Sequence, residues 1–136
     1  MEAVPLRLRP AADLRVALEA ALAEHSQSAG VVISGIGSLS SARVRLAGAS
    51  EPKQFLGDLE ILTLAGTVGS NGSHLHIAVA DSAGRVIGGH VAHGCIVRTT
   101  AEVTLLLLPD WSFNRELDPA TGFAELVISR RGERGA

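Results

Sequence analysis

The sequence predicts an α+β domain built on a mainly antiparallel sheet, on three observations. Alternating apolar and polar runs recur along most of the chain, as half-buried strands do. Only one segment, after Asp13, keeps apolar residues at helical spacing. No internal repeat divides the sequence, so strands in number with one principal helix point to a single α+β unit. The 136 residues fit one domain, 1–136, long enough to bury a core, with 130–136 expected as a flexible tail. With 46% hydrophobic and 19% charged residues the chain is too apolar for disorder, and no apolar run is long enough to cross a membrane. The opening Met1 to Pro10 lacks a basic segment followed by an apolar signal core, so a cytoplasmic location is expected.

Val4 to Arg9 alternates as an edge strand, because Pro5 cannot donate a ladder hydrogen bond, and Pro10 ends it. Asp13 caps a helix predicted from about Leu14 to Ala29, with Leu14, Ala17, Leu18, Ala21 and Leu22 on one face and Gly30 as the stop. His25, near its end, is expected at the surface, favourably placed against the helix dipole. Val31 to Ser34 is a short strand that breaks at a turn, Gly35-Ile36-Gly37-Ser38; two glycines without a third are a weak phosphate signal. Ala42 to Leu46 alternates again, Glu51 to Phe55 is loop, and Asp58 to Val68 is a long strand, apolar on both faces and therefore central. Gly69 to Gly72 is a loop. Ile96 to Leu108 is another long strand ending in four leucines, a run that needs cover from both sides or a subunit interface, and it suggests an oligomer. Beyond Pro109, Asp110 to Gly122 reads as a polar loop and Ala124 to Ile128 as the last strand.

Between these lies a stretch with four of the five histidines, Ser73 to Gly94. Two alternating apolar runs flank Asp81 to Arg85, the pattern of a β-hairpin. If the loop is Ser82-Ala83-Gly84, with Gly84 left-handed, counting back sets Ala80 against Val86, Ala78 against Gly88 and His76 against His90. His74, His76 and His90 then share one face, among mostly small residues, while Leu75, Ile77, Val79, Ile87 and Val91 face the core. Opposed side chains lie about 5 Å apart at Cβ, so three imidazoles can converge. Such a set suits a divalent metal, of zinc type by donor chemistry, and leaves a position open for water or an anion. The alternative is three ordinary polar residues on a solvated sheet face.

A net charge of −2 and 3% aromatic residues argue against nucleic-acid binding by this domain. The basic run from Arg130 to Gly135 reads as a frayed end. Cys95, the single cysteine, excludes an internal disulfide and fits a reducing compartment. His93 stands two residues away as a conceivable activating base, but a small buried thiol is the commoner case.

Several segments together resemble the PPC domain, conserved in plants and prokaryotes: Gly35 to Leu39, Gly57 to Leu62, Ala65-Gly66-Thr67, His74-Leu75-His76, Gly84 to His90, Gly94, Ala101-Glu102-Val103, and Arg115-Glu116 followed by Thr121-Gly122. The domain is also found in the AT-hook nuclear-localised proteins of plants and in prokaryotic proteins labelled as predicted DNA-binding. The resemblance covers nearly the whole chain. It implies an antiparallel sheet flanked by helices, a homotrimer, and metal-associated histidines at His74, His76 and His90. In the plant proteins the segment matching Gly57 to Leu62 contacts transcription factors, but Asp58-Leu59 departs here from the plant Arg-Phe. The plant proteins contact DNA through a separate Arg-Gly-Arg-Pro hook, which this sequence lacks, so direct DNA binding is not expected of it.

Two functions follow as expectations. The first is a trimeric metal-containing module that binds a small molecule or a protein partner. The second is a metal-dependent lyase or hydrolase acting on a small carboxylate or carbonyl compound, since PPC domains resemble acetolactate decarboxylase in fold and an open zinc position polarises a carbonyl or activates water. An enzyme also needs an acid or base and a positive group, for which Glu102, Arg115 and Glu116 are the candidates. Glu102 interrupts an apolar strand, and Arg115 could hold a substrate carboxylate from a loop over the site; structural salt bridges would account for both equally well.

Overall fold

The computed structural model describes residues 1–133. The chain runs β1 (Glu2–Leu8), α1 (Leu14–Glu24), β2 (Ala29–Arg45), β3 (Lys53–Gly69), β4 (Gly72–Ala80), β5 (Val86–Val91), β6 (Ile96–Leu107), β7 (Trp111–Asp118) and β8 (Phe123–Arg130). All pairings between named strands are antiparallel. Six strands form one sheet in the order β1-β6-β2-β3-β4-β5, and β7 and β8 form a separate two-stranded sheet. The far end of β2 also pairs with β5, through Val44↔Val91 and Arg45↔His90, so the large sheet curls until β2, β3, β4 and β5 close a ring.

This corrects the expected fold class. With 64% of the described residues in strands and 8% in one short helix, the molecule is a small β-rich domain, not an α+β sheet flanked by helices. The helix is shorter than its sequence period suggests. Asp13 caps it as expected, its Oδ1 accepting the Val16 N–H at 3.1 Å. Its C-terminus, however, comes at His25, after which Ser26 turns left-handed at φ 54°. Gly30 does not stop a helix; it lies within β2, where Leu22 and Leu105 fill the space a side chain would need. Leu14, Leu18 and Leu22, one turn apart, bury the helix against the sheet.

Nor do Gly35 and Gly37 form a turn. β2 continues through them for 17 residues, with register shifts between Val32 and Ser34 and between Gly37 and Leu39. Leu64 occupies the place where a Gly35 side chain would stand, so the glycine admits a close neighbour and lets the strand bend. The loop expected from Glu51 to Phe55 is mostly the beginning of β3, and the polar loop expected from Asp110 to Gly122 is mostly β7. Polar side chains at Ser112, Asn114 and Glu116 conceal that strand in the sequence.

The expected edge strand is present as β1, and β3 lies centrally between β2 and β4. The core is one continuous cluster that includes Leu39, Leu64, Leu75, Val79, Val97 and Leu105. Leu105 and Leu107 are buried in it, so half of the leucine run finds its cover inside the chain. Of the expected tail, Arg130 ends β8 and the Arg131 N–H donates to the Asp110 carbonyl at 2.8 Å; residues 134–136 lie outside the described residues. No helix among the described residues is long and apolar enough to cross a membrane.

Candidate metal centre

The hairpin that carries the histidines forms in the register obtained by counting. Ala80 faces Val86, Ala78 faces Gly88 and His76 faces His90. Gly84 is left-handed at φ 78°, as the turn requires, and Asp81 closes it: its Oδ1 accepts the Ala83 and Arg85 N–H groups at 3.0 and 2.9 Å. Leu75, Ile77 and Val79 are buried on the reverse face, and a slip of one residue would expose all three. Burial of one face therefore holds the histidines on the other.

The three imidazoles meet there. His74 Nε2 lies 3.1 Å from His76 Nε2 and 3.0 Å from His90 Nδ1, and one ligand atom from each residue falls within 4.8 Å of the others. His74 and His90 stack at an interplanar angle of 15°, with His76 edge-on to both at 77° and 88°. Two nitrogens on a tetrahedral zinc with bonds of about 2.0–2.1 Å are about 3.3 Å apart, close to the spacing of His74 from each of the other two. One N–H cannot fully satisfy two nitrogens facing it, so the trio has a lone pair to offer a cation. By donor type and spacing the residues fit a divalent metal.

The surroundings favour neutral, ligand-ready rings. Burial first, and then the nearby Arg115 guanidinium, push the His74 imidazole below its ordinary pKa. Burial, followed by Arg45, does the same for His90. Arg45 is the register partner of His90 across the β2–β5 pairing.

β3 supplies the floor beside the rings. The two-residue turn Ser70-Asn71 joins it to β4, placing Thr67 against His74 and Ala65 against His76. Ala65, Gly66, Thr67, His74 and His76 line a pocket of about 200 Å³. At Gly66, with φ 143°, a side chain would collide with the His74 carbonyl, so glycine permits the close approach of β3 to the ligand strand.

The other sequence candidates divide. Arg115, on β7, is brought to the site: its Nη2 donates to Thr67 Oγ1 at 2.8 Å. Glu102 is not. It is exposed on β6, opposite Arg7 of β1 and Ile36 of β2, and lines a different groove of about 480 Å³. Glu116 is exposed on β7 opposite Glu125. Cys95 is fully buried, its Sγ–H directed at the Arg43 carbonyl at 3.3 Å, and burial pushes its thiol pKa up, which suits core material and not a nucleophile. His25 caps α1, with Nδ1 2.8 Å from the Ala21 carbonyl.

Sequence reasoning missed Thr67, Asn71 and Glu125. The first was within reach: taking Ser70-Asn71 as a two-residue hairpin turn would have set Thr67 opposite His74 by counting. Asn71 and Glu125 act through β7 and β8, whose pairing was hidden. Asn71 clamps Arg115 from both sides, its Nδ2 donating to the Arg115 carbonyl at 3.0 Å and its Oδ1 accepting the Arg115 N–H at 2.8 Å. Glu125 contributes a negative charge near His74.

Residues 1–109 match the model of the Plants and Prokaryotes Conserved (PCC) domain. Among curated proteins, a "Bifunctional protein GlmU" from Synechococcus sp. (strain JA-3-3Ab) is 46% identical over 129 residues, 95% of this chain and 21% of that protein. The chain thus spans about a fifth of the length of the curated relatives it matches. A solved hypothetical protein from Salmonella cholerae-suis is 35% identical, with a TM-score of 0.92 over 96% of this chain and 94% of that one. The metal-containing protein AF0104 from Archaeoglobus fulgidus is 28% identical, with a TM-score of 0.78 over 93% and 94%. A chain from Bacteroides thetaiotaomicron, described provisionally as DNA-binding, has a TM-score of 0.82 over 92% and 91%, and at 22% identity shows the fold alone.

Proposed function

The chain belongs to the Plants and Prokaryotes Conserved (PCC) domain family, and from that premise we propose that it is a homotrimeric metal-binding module, in which His74, His76 and His90 hold a divalent ion of zinc type and a small ligand completes the coordination. The convergence of three imidazole nitrogens, with His74 3.0 and 3.1 Å from the other two, carries this reading. Its support also includes the metal-containing Archaeoglobus relative of the same fold. Three neutral nitrogens leave at least one position for an exogenous group. The deciding measurement is metal content by mass spectrometry on protein never exposed to nickel resin, with and without added zinc. Stoichiometric uptake that disappears in His76→Ala supports the module, and no uptake by the intact chain removes it.

The trimer draws support from exposed apolar residues on the sheet, where Ile33, Ile36 and Leu62 are each about half exposed. Light scattering tests it directly. A protein partner is an open use of the same module. A cytoplasmic location suits the single reduced cysteine. Direct DNA binding fits poorly with a net charge of −2 and no hook segment, and fluorescence anisotropy at low salt is the test. No GlmU activity is carried over, because the chain corresponds to about a fifth of those proteins.

A second reading, a metal-dependent lyase or hydrolase, is favoured by one observation: a guanidinium fixed beside the histidine pocket. When bound, the metal would supply Lewis-acid polarisation of a carbonyl or an activated water. Turnover of keto acids, hydroxy acids or esters that is lost with the metal and in His76→Ala would favour the enzyme over the module.

A further inference from the structure

From the way Arg115 is held, we infer that the ligand of the histidine site is a short 2-hydroxy or 2-oxo carboxylate, gripped at its carboxylate end by Arg115 while its second oxygen faces the three imidazoles. This rests on the metal reading above and adds to it the chemical class of the ligand.

Four observations lead there. First, Arg115 makes no ion pair among the described residues, although it lies partly out of solvent. The nearest acidic influence on the site, Glu125, already accepts the Thr121 hydroxyl at 3.0 Å. A guanidinium without a carboxylate keeps N–H donors for an external one, and its planar fork matches the two oxygens of a carboxylate. Second, the guanidinium is aimed. Its Nη2 donates to Thr67 Oγ1 at 2.8 Å, and Thr67 lines the pocket that His74 and His76 share.

Third, its backbone is fastened to the turn that leads into the ligand strand. Asn71 bonds both the N–H and the carbonyl of Arg115, and Ser70 Oγ donates to Asn114 Oδ1 at 2.8 Å. The β3–β4 turn thereby ties the position of the cation to that of His74. The same bonds that dock the β7–β8 hairpin thus pre-position the cation relative to the ligand strand, as a recognition group requires. Fourth, the space is small, about 200 Å³ between Ala65 and Gly66 on one side and the rings on the other, which suits a compact acid. A single fork with one arm already engaged is a modest partner for a phosphate dianion, which generally meets several donors or a backbone nest.

Cobalt(II) in place of zinc gives the full chain a visible spectrum that reports metal binding and ligand binding separately. Wild type, Arg115→Ala and Arg115→Lys are each loaded with cobalt and titrated with glycolate, ethylene glycol and inorganic phosphate. The expected result is an unchanged cobalt spectrum in all three proteins, glycolate affinity weakened roughly tenfold or more in Arg115→Ala, partial recovery in Arg115→Lys, and no effect of either substitution on ethylene glycol. The intact cobalt spectrum also shows that the variants are folded at the site. Equal glycolate affinity in wild type and Arg115→Ala overturns the inference while leaving the metal centre standing. Phosphate that binds more tightly than glycolate, with the same dependence on Arg115, overturns the carboxylate class. Failure of the wild-type chain to take up cobalt overturns the metal reading, and this inference falls with it.

Discussion

The β4–β5 and β7–β8 hairpins are both antiparallel pairs closed by short turns, yet they are held in different ways. β4 buries Leu75, Ile77 and Val79 in the core and gains neighbours on both edges, β3 on one side and β5 on the other. β7 and β8 pair only with each other, bury Phe113, and leave Leu117 at 74% and Phe123 at 66% exposure. The first hairpin cannot slip without exposing its apolar face, so the side on which its outward side chains converge is fixed. The second is located by polar staples to the Ser70-Asn71 turn. The three imidazoles thus stand on the part of the fold secured by burial, and the cation that faces them stands on the part secured by hydrogen bonds.

The largest test of this division removes a ligand. His76→Ala takes one nitrogen from the set while leaving the buried face of β4 intact. Loss of a group that merely orients a ligand costs about 10–100-fold in metal affinity, and loss of a ligand itself should exceed about 100-fold. Competition with a chromogenic chelator measures it, and the thermal midpoint of the metal-free protein should barely change. A comparable loss of stability without metal would mean that the histidines serve packing.

Next comes the opposite face of the same strand. Leu75 is 1% exposed, and Leu75→Ala should destabilise the whole domain by about 2–5 kcal/mol, read from urea unfolding. Its effect should spread to every protected amide of the six-stranded sheet. A change confined to β4 would show that the hairpin is not locked to the core in the way its burial indicates.

The staple of the arm gives a smaller and more local effect. Asn71→Ala deletes two hydrogen bonds to the Arg115 backbone, worth about 1–2 kcal/mol at an exposed position. Hydrogen exchange should rise in Trp111–Asp118 and Phe123–Arg130, while the β4 amides stay protected and metal affinity holds. If β4 loosens equally, the two hairpins form one cooperative unit and the contrast between them fails.

The same contrast explains what was legible in the sequence. His74, His76 and His90 could be placed by counting because their strands alternate strictly, Leu75, Ile77 and Val79 inward and histidine or alanine outward, with Gly84 marking the turn. The arm lacked such a signal: β7 buries only Phe113 and β8 no residue, so no buried face imposes alternation, and Ser112, Asn114 and Glu116 read as loop. β2 was hidden for another reason. Its glycines at 35 and 37 look like turn residues locally, and only Leu64, brought up from β3, explains why one of them is a glycine within a strand. The helix was overextended because Gln27 and Ala29 do not oppose helix formation. A left-handed Ser26 and the pairing of Ala29 with Gly69 decided the boundary, and both depend on tertiary context. The excess helix in the expected fold class has a different source: family likeness suggested flanking helices where the described residues contain one.

The finest test concerns the root of the histidine strand. Ser73 Oγ donates to Glu19 Oε1 of α1 at 2.6 Å, and Arg15 Nε reaches the same oxygen at 3.0 Å, so the helix holds β4 one residue before His74. Burial alone would raise the Glu19 pKa, but the Ser73 hydroxyl and the Arg15 guanidinium outweigh it and leave the carboxyl below its ordinary value. A carboxylate depressed on folding contributes stability that is fully present above its unfolded pKa, about 4.3, and is lost as pH falls through the folded value. Because the group is partly solvated, the contribution should be under about 1 kcal/mol. Glu19→Gln should therefore lower the thermal midpoint slightly at pH 7 and converge with wild type as the pH falls through the folded value, below which both carry a neutral side chain. Parallel curves across that range would show that the carboxylate charge is not what fastens Ser73, and that β4 is held at its root by burial alone.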